Sequence, residues 1–344
     1  MKKIVFIDDG IEFDSLTRID QPTGGAENAF ISLVESLAKK NLSISVFNNC
    51  RNTGKLNGVD WQKLDKRISN HKFDVIVINR GDKFLNFRTD CRKRIFWIHN
   101  PAKYLIKYRY LSKLYFNPAT IVFSGNYHLK TYPNWAPNKN KKVIPYGVDD
   151  FIFNAKEKLK NFEPVAVFTS NPLRGLDWLL DLWEKDIYPN VPNATLKLFT
   201  GMQTYGVEGK KKESIAFPIL NRAFSLKSKG VILNHPLPRK KLIKEIKKSR
   251  LFLYKGSYDE TFCMSVAESQ VLGIPSVVKD LGCMNERIIH GKTGFVTKND
   301  KEFTNYAIKL LTENDSWLKM HNYMLKNNSH FSWDKIAEMW KKIL

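Results

Sequence analysis

Cysteine and long apolar runs are both scarce in this sequence of 344 residues. The four cysteines lie far apart and form no C-x-x-C pair, so the sequence indicates neither a disulfide scaffold nor a cysteine-based zinc site. No segment approaches the roughly 20 consecutive apolar residues of a membrane-spanning helix. The apolar stretch before Asp8 is too short for a signal peptide. We therefore expect a cytoplasmic protein.

Two familiar ligand-binding motifs are missing as well. No G-x-G-x-x-G fingerprint occurs in the chain, which argues against an NAD-dependent enzyme. Gly291-Lys292-Thr293 resembles the end of a phosphate-binding P-loop. Position 286, where that motif needs its first glycine, is Glu286. We therefore reject a P-loop.

Basic residues dominate the charge. Lys and Arg outnumber Asp and Glu by 56 to 34, which gives a formal net charge of +22. Residues 80–142 alone hold fourteen basic side chains against two acidic ones, so over half of the excess lies there. A surface with this positive charge could bind nucleic acid, an anionic membrane surface or an anionic substrate. It could also be a solvated basic surface with no partner. The length and the 43% hydrophobic content suggest two domains with separate cores.

Short apolar runs alternate with helix-length segments along the whole chain, which predicts doubly wound parallel α/β sheets. The predicted strands are Lys2–Ile7, Ser43–Phe47, Phe73–Ile78, Arg94–Ile98, Ile121–Ser124, Val165–Thr169, Ala194–Phe199, Val231–Leu233 and Leu251–Tyr254. Ligands of such sheets bind at the carboxyl ends of the strands, where His99 and Arg174 are expected. A helix is predicted to begin at Pro101, with its buried face formed by Tyr104, Leu105, Tyr108, Leu111 and Tyr115.

The stretch from Tyr258 to Ser276 carries the clearest pattern for a site. A strand is expected before it, and a helix is expected to begin near Phe262. Glu260 then lies in the strand-to-helix loop and Glu268 lies within the helix, at a separation of about 12 Å if all eight steps are helical. Free N–H groups at the helix start suit phosphate, and the two carboxylates suit hydroxyls at the ends of one ligand. Such a ligand is a nucleotide-sugar.

Glu260-x7-Glu268 with Gly273-x-Pro275 resembles the E-x7-E signature of the retaining glycosyltransferases of family 4. Three further segments resemble the G-G-x-E, I-P-x-G-V-D and G-x-T-G-F-x-V motifs of that family, namely Gly24–Glu27, Ile144–Asp149 and Gly291–Val296. The resemblance implies the GT-B fold, in which two Rossmann-like domains face each other across a cleft. We expect an acceptor-side domain at 1–150, a donor-side domain at 151–328 and a helix at 329–344 that crosses back to the first domain.

The resemblance also implies roles for individual residues. Glu268 would bind the ribose hydroxyls, Glu260 would bind hydroxyls of the donor sugar, and His99 would contact that sugar from the other domain. Arg174 would bind the donor diphosphate, so His99, Glu260 and Arg174 are the expected catalytic residues. Further donor contacts are expected from glycines, from a loop amide and from the helix start: Gly24, Gly25, Asn171, Cys263 and Met264.

This sequence departs from the family at one position of the diphosphate site. The family has an arginine upstream of the position of Arg174, where this chain has Thr169 or Ser170. The sequence also contains no D-x-D pair to hold Mg²⁺. We therefore predict turnover without a metal or other cofactor, with Arg174 and the helix amides opposing the charge of the leaving group.

The expected reaction is the transfer of a sugar from a nucleoside-diphosphate donor, UDP- or GDP-linked, to a hydroxyl of a saccharide or lipid-linked acceptor. The family implies that the anomeric configuration is retained, with the leaving phosphate taking the proton of the acceptor. The basic first domain could hold the enzyme at an anionic membrane surface. Three alternatives stay open: a nucleotide-sugar epimerase on the same fold, a nucleic-acid-binding protein, and a catalytically silent GT-B protein.

Overall fold

The computed structural model describes residues 2–87, 91–155, 163–203 and 206–344. The chain divides into two compact units. The first comprises Met1–Asp20, Gly24–Gly147 and Phe331–Leu344, and the second comprises Gln21–Thr23 and Val148–His330. The polar, lysine-rich composition of the segment from Asn154 to Asn161 predicts a linker, and most of that segment lies outside the described residues. Within the described part of the chain, no helix is long and apolar enough to cross a membrane.

The first unit is built on one sheet, which has eight strands among the described residues. Its spatial order is β3-β4-β2-β1-β5-β6-β7-β8, and the pairs are parallel except that β3 runs antiparallel to β4. The strands are β1 (Lys3–Asp8), β2 (Ser43–Asn48), β3 (Gly54–Leu56), β4 (Val59–Lys63), β5 (Val75–Asn79), β6 (Lys93–Trp97), β7 (Thr120–Phe123) and β8 (Asn140–Val143). The central strands read as continuous Val, Ile and Phe runs because helices cover both of their faces.

The helices of this unit connect the parallel strands. They are α1 (Thr17–Asp20), α2 (Gly25–Ala38), α3 (Tyr108–Phe116) and α4 (Asn126–Lys130), with 3-10 turns at Lys66–Asn70 and Ala102–Ile106. One apolar cluster fills the space between the sheet and α3, with Phe96 and Ile121 packed against Tyr110 and Leu114. This cluster fixes the side of the sheet on which α3 lies.

The single helix predicted from Pro101 is wrong in its extent and in its buried face. The backbone is extended at Lys107, with ψ 138°, so a 3-10 turn ends there and α3 begins anew. The break rotates the second helix relative to a continuous one. Tyr110 and Leu114 are therefore buried, whereas Tyr108 and Tyr115 are 84% and 70% exposed.

The second unit has a six-stranded sheet among the described residues, and all of its neighbouring strands are parallel. The strands are β9 (Val165–Phe168), β10 (Thr195–Phe199), β11 (Val231–Asn234), β12 (Leu251–Tyr254), β13 (Ser276–Lys279) and β14 (Gly294–Thr297). The order β11-β10-β9-β12-β13-β14 is the 3-2-1-4-5-6 arrangement of a dinucleotide-type sheet. The order in which successive strands join the sheet reverses between β9 and β12, so the carboxyl ends of these two strands form the crevice in which such sheets bind ligands.

Helices cover both faces of the second sheet. They are α5 (Asp150–Phe153), α6 (Leu176–Leu182), α7 (Tyr188–Asn190), α8 (Gly206–Lys211), α9 (Glu213–Ser225), α10 (Arg239–Ile246), α11 (Met264–Val271), α12 (Met284–Arg287), α13 (Asp300–Thr312) and α14 (Asn314–Lys326). A π-helical turn, Trp183–Ile187, continues α6 and buries the indole of Trp183.

The last helix, α15 (Trp333–Lys341), belongs to the first unit although it follows the second in the chain. It packs against α2, and Trp340 contacts the rings of Phe6 and Trp97 at centroid distances of 6.2 and 5.1 Å. The Ser332 hydroxyl accepts a hydrogen bond from the Lys335 N–H at the start of the helix. Three large aromatic rings thus join the C-terminal helix to the centre of the first sheet.

Candidate functional site

The switch point of the second sheet carries an ion pair. Arg174 follows β9, Glu260 follows β12, and an Nη1 of Arg174 lies 2.6 Å from Oε2 of Glu260. The hydroxyl of Tyr254, the last residue of β12, donates to the same carboxylate oxygen over 2.8 Å. Glu260 is therefore fixed by one cation and one neutral donor, and two predicted site residues meet at the predicted edge of the sheet.

The loop after β9 places Arg174 at the start of α6. The side-chain oxygen of Asn171 accepts a hydrogen bond from the Leu173 N–H at 2.8 Å, which closes a turn before Arg174. Gly175 has φ +85°, and a Cβ there would lie 2.5 Å from Cδ of Lys255. Glycine is required because the backbone is left-handed and because the loop after β12 passes so close.

The loop at 281–283 supports the backbone of Glu260. The Cys283 N–H donates to the main-chain oxygen of Glu260 at 3.0 Å. This approach depends on Gly282, which has φ +60° and whose Cβ would lie 2.4 Å from the main-chain oxygen of Ser257. The loop at 281–283 therefore fixes the backbone on which Glu260 stands.

The helix after Glu260 begins later than the sequence predicts. Its first residue is Met264, and Cys263 before it has φ +60° and ψ 79°. Only the four steps from Met264 to Glu268 are helical. The predicted separation of about 12 Å between Glu260 and Glu268 assumed eight helical steps, and that assumption is wrong. A left-handed, non-glycine residue costs on the order of 1–3 kcal/mol and is concentrated at functional sites. Cys263 is the predicted donor-binding position where that strain lies.

Glu268 is buried inside α11, where it is 1% exposed. Arg239, the first residue of α10, forms an ion pair with it. A buried carboxylate whose charge is compensated by an arginine can accept hydrogen bonds from hydroxyls of a ligand.

Sequence reasoning missed two residues of this site. The six basic residues between Pro238 and Ser249 predict a solvated helix face, and for Arg239 that prediction is wrong because its side chain is only 13% exposed. A signal was present, since a basic residue in the first turn of a helix opposes the helix dipole. Tyr254 was read only as the end of a buried strand, although tyrosine is the one residue of that run with a polar tip.

The thiols beside Glu260 are not ionised nucleophiles. Burial, and then the Glu260 carboxylate, raise the pKa of Cys263 well above its usual value, and the same two causes raise that of Cys283. Burial and Glu260 likewise raise the pKa of Tyr254, so its hydroxyl keeps the proton that it donates. The site therefore presents carboxylates, arginines and neutral donors.

The corresponding edge of the first sheet carries a buried polar network around His99. The Tyr146 hydroxyl lies 2.5 Å from Nδ1 of His99, and the side-chain oxygen of Asn79 lies 2.6 Å from Nε2. The side-chain amide of Asn79 donates in turn to Asp8. Burial, followed by the charge of Arg80, lowers the pKa of His99 well below its usual value. The ring is neutral, with both nitrogens bonded to protein groups.

Arg80 links this network to the glycine loop. Its Nε donates to Asp8 at 2.9 Å and its Nη1 donates to Glu27 at 2.7 Å. Gly24 stands at the N-cap of α2 and Gly25 is the first helical residue, so the G-G-x-E loop begins a helix. The glutamate of that loop is used to hold Arg80.

The described part of the chain contains no group of three or more His, Cys, Asp or Glu side chains arranged to hold a metal ion. Glu260 and Glu268, which follow β12, each form an ion pair with an arginine. Metal-independent turnover stays a prediction.

Residues 216–330 match the family model of the group 1 glycosyl transferases. This segment lies within the second unit and contains both glutamates of the E-x7-E pattern. The match covers about a third of the chain and supports the group 1 superfamily. No curated protein matches the chain in sequence.

Solved structures match the chain over its whole length. Sucrose-phosphate synthase from Thermosynechococcus elongatus has a TM-score of 0.73 at 12% identity, covering 100% of this chain and 98% of that one. HepE of Anabaena, solved with UDP and glucose, has a TM-score of 0.76 at 14% identity, covering 100% and 99%. WaaG, a glycosyltransferase involved in lipopolysaccharide biosynthesis, has a TM-score of 0.70 at 12% identity, covering 99% of each chain. These likenesses show the fold and confirm the predicted GT-B class.

Proposed function

We propose that this protein is a glycosyltransferase that moves a sugar from a nucleoside-diphosphate donor to a hydroxyl acceptor. The observation that carries the proposal is Glu268, a fully buried carboxylate whose charge is compensated by Arg239. It lies one helix turn past the start of α11, beside the switch point of a dinucleotide-type sheet. A pair of adjacent ribose hydroxyls would donate hydrogen bonds to this carboxylate.

Arg239 has a role in this proposal that the sequence did not suggest. Its guanidinium neutralises Glu268 in the protein without donor. The ribose would bind to the carboxylate while Arg239 keeps its charge compensated, since an unpaired buried carboxylate costs several kcal/mol. Arg239 is therefore proposed as a positioning residue for the ribose site.

The diphosphate is assigned to the start of α6 and α11. Arg174 supplies the cationic side chain there, and the free amides of Cys263 and Met264 supply neutral donors. When the bond from the anomeric carbon to the phosphate breaks, the electron pair and negative charge pass to the leaving nucleoside diphosphate. Fixed cations and helix dipoles stabilise that charge, so no bound metal is required.

Glu260 is assigned to hydroxyls of the transferred sugar. Arg174 and Tyr254 both bond to its Oε2, and neither of them bonds to its other oxygen, Oε1. A carboxylate held by two protein donors suits hydroxyl binding better than nucleophilic attack. We therefore favour retention of configuration with the leaving phosphate taking the proton of the acceptor hydroxyl on the same face as the new bond.

The donor is proposed to be UDP-linked before GDP-linked. HepE, which shares the fold, was solved with UDP-glucose as well as with UDP and glucose. The acceptor is proposed to be a saccharide or a lipid-linked saccharide, and WaaG, a glycosyltransferase involved in lipopolysaccharide biosynthesis, shares the fold. A GT-B epimerase is the alternative that shares every donor contact, and it would convert the donor without an acceptor.

A thermal-shift panel tests the donor site. UDP, GDP, ADP and TDP are each added in EDTA to the wild type, to Glu268→Gln and to the control Glu213→Gln, which changes an exposed glutamate of α9. We expect one nucleotide to raise the Tm of the wild type and of the control. The expected loss of affinity in Glu268→Gln is about tenfold or more, because a hydrogen bond to a charged group contributes roughly 1.5–3 kcal/mol.

The results separate the alternatives. A wild-type shift that needs Mg²⁺ contradicts the metal-independent mechanism, and no shift with any nucleotide contradicts the donor site itself. Conversion of the donor in the absence of acceptor, followed by NMR of the sugar, identifies an epimerase. Retention on heparin at moderate salt without nucleotide binding identifies a nucleic-acid-binding protein.

A further inference from the structure

A cavity of about 370 Å³ lies in the first unit beside the edge strand β8. It includes the first residues of three neighbouring strands, Lys93 of β6, Thr120 of β7 and Asn140 of β8. These residues mark the amino edge of the sheet, whereas His99 follows the carboxyl end of β6. The cavity is therefore separate from the candidate site of this unit.

The cavity is strongly cationic. Lys93, Lys142 and Lys342, named here the cavity lysines, all line it, and no carboxylate side chain does. Across the described ranges, none of the three forms an ion pair with an acidic residue. Burial, and then the charges of Lys2, Lys139 and Lys142, lower the pKa of Lys93. Two of the cavity lysines, Lys93 and Lys142, therefore repel each other.

The neutral part of the lining has two characters. Thr120 and Asn140 provide a hydroxyl and a side-chain amide next to the lysines. The remaining lining is apolar and comes from β8, the residue after it and the end of the chain: Val143, Ile144, Met339 and Ile343. A ligand that satisfies both sides needs an acceptor-rich anionic end and an apolar end.

We propose that this cavity binds a phosphate ester that carries an apolar group. A phosphate monoester has a charge of roughly −1.5 to −2 at neutral pH and three acceptor oxygens, which suit several ammonium groups at once. The volume falls within the roughly 300–1,000 Å³ of small-molecule sites. The phosphate end could belong to an anionic lipid in a membrane or to a soluble ester. This inference does not depend on the proposed glycosyl transfer.

Lysine acetylation with mass spectrometry tests the site directly. The soluble arm adds hexyl phosphate, with hexanol as its matched control. The membrane arm adds phosphatidylglycerol-containing phosphatidylcholine vesicles, with pure phosphatidylcholine vesicles as its control. We expect the phosphate-bearing probe to protect the cavity lysines while Lys55 and Lys103, both exposed in the same unit, react unchanged.

A pair of charge-matched variants provides the second readout. The cavity variant changes the three cavity lysines to glutamine, and the control variant changes Lys39, Lys55 and Lys103 to glutamine. The cavity variant is expected to lose roughly tenfold or more in affinity for the probe that binds, because each lysine near an anionic surface contributes appreciably. The control variant loses less, and both keep the nucleotide response of the wild type.

The two arms decide the source of the phosphate. Protection by hexyl phosphate alone supports a soluble ester, and protection by anionic vesicles supports a lipid. The proposal is overturned if neither probe protects the cavity lysines more than Lys55 and Lys103. It is also overturned if the cavity and control variants bind the probe equally.

Discussion

The carboxyl edges of the two sheets are built on the same plan. In each unit, an arginine and an acid stand at or just after the carboxyl ends of the two strands that flank the switch point of the sheet, and they pair with each other. Arg80 bonds to Asp8 at 2.9 Å in the first unit, and Arg174 bonds to Glu260 at 2.6 Å in the second. The difference lies in what the neighbouring polar groups do.

In the first unit, the neighbouring polar groups bond to one another. Both nitrogens of His99 have protein partners, and the side-chain amide of Asn79 is held by Asp8. In the second unit, Arg174 and Tyr254 both bond to Oε2 of Glu260, and neither bonds to its Oε1. The comparison teaches that a strand-end position alone does not make a ligand site, because the same position can serve a closed internal network.

The largest expected effect concerns the carboxyl edge of the second sheet, which is called the open edge below. Arg174→Gln should lower kcat/KM by about 10²–10³, or roughly 3–4 kcal/mol, because it removes the cation that opposes the charge of the leaving group. Its stability should change little, since the Arg174 side chain is 36% exposed and exposed ion pairs contribute little. Steady-state kinetics and the Tm of the variant measure the two quantities.

Arg222→Gln is the matched control for this prediction. Arg222 lies in α9 of the same unit and pairs with Asp177, Asp181 and Glu184. It should keep wild-type kinetics, because these partners lie on the outer face of α6 and its π-helical extension. Equal losses of activity in the two variants would show that Arg174 acts only through stability.

The carboxyl edge of the first sheet, called the closed edge below, should respond in the opposite way: a substitution there should lower stability and leave nucleotide binding intact. His99→Ala leaves Asn79 and Tyr146 without their buried partner, so we expect a loss of about 3 kcal/mol in the free energy of unfolding. Nucleotide binding by the second unit should persist.

The predicted contact of His99 with the donor sugar would require one ring nitrogen to exchange its partner. A rise in KM for the donor in the better-folded His99→Asn variant would support that contact, and an unchanged KM would assign His99 to the scaffold.

Much of the fold could be predicted from the sequence because its buried strands are continuous apolar runs. Leu251–Tyr254 was predicted with its observed bounds, and the other predicted strands overlap the observed ones. The break at Lys107 was not predictable from periodicity, because the apolar residues on either side of it also fit one helix. Only the packing of Tyr110 and Leu114 on the sheet selects the observed register.

The candidate site was partly predictable for a similar reason. Arg174 and Glu260 meet because both follow strands at the switch point, and strand order can be expected from an alternating pattern. Arg239 and Tyr146 could not be placed, since each approaches its partner from a distant part of the chain: Arg239 reaches Glu268 from another helix, and Tyr146 reaches His99 from the loop after β8. Such pairings are decided by tertiary packing, which no local pattern encodes.

The smallest effect concerns the pH dependence of the closed edge. Burial lowers the pKa of His128 to about 4 from 6.5, and its ring is fully buried against Ser124 and the main-chain oxygen of Asn100. Between these values the unfolded chain binds more protons than the folded one, so stability falls as the pH falls. The loss attributable to this residue is about 2 kcal/mol between about pH 7 and pH 5.

Denaturant unfolding should therefore show that the free energy of unfolding falls less steeply with falling pH in His128→Asn than in the wild type. The control His71→Asn, which changes an exposed histidine of the same unit, should keep the wild-type slope. Identical slopes in all three proteins would mean that the first edge tolerates a charged imidazole and is less closed than its hydrogen bonds indicate.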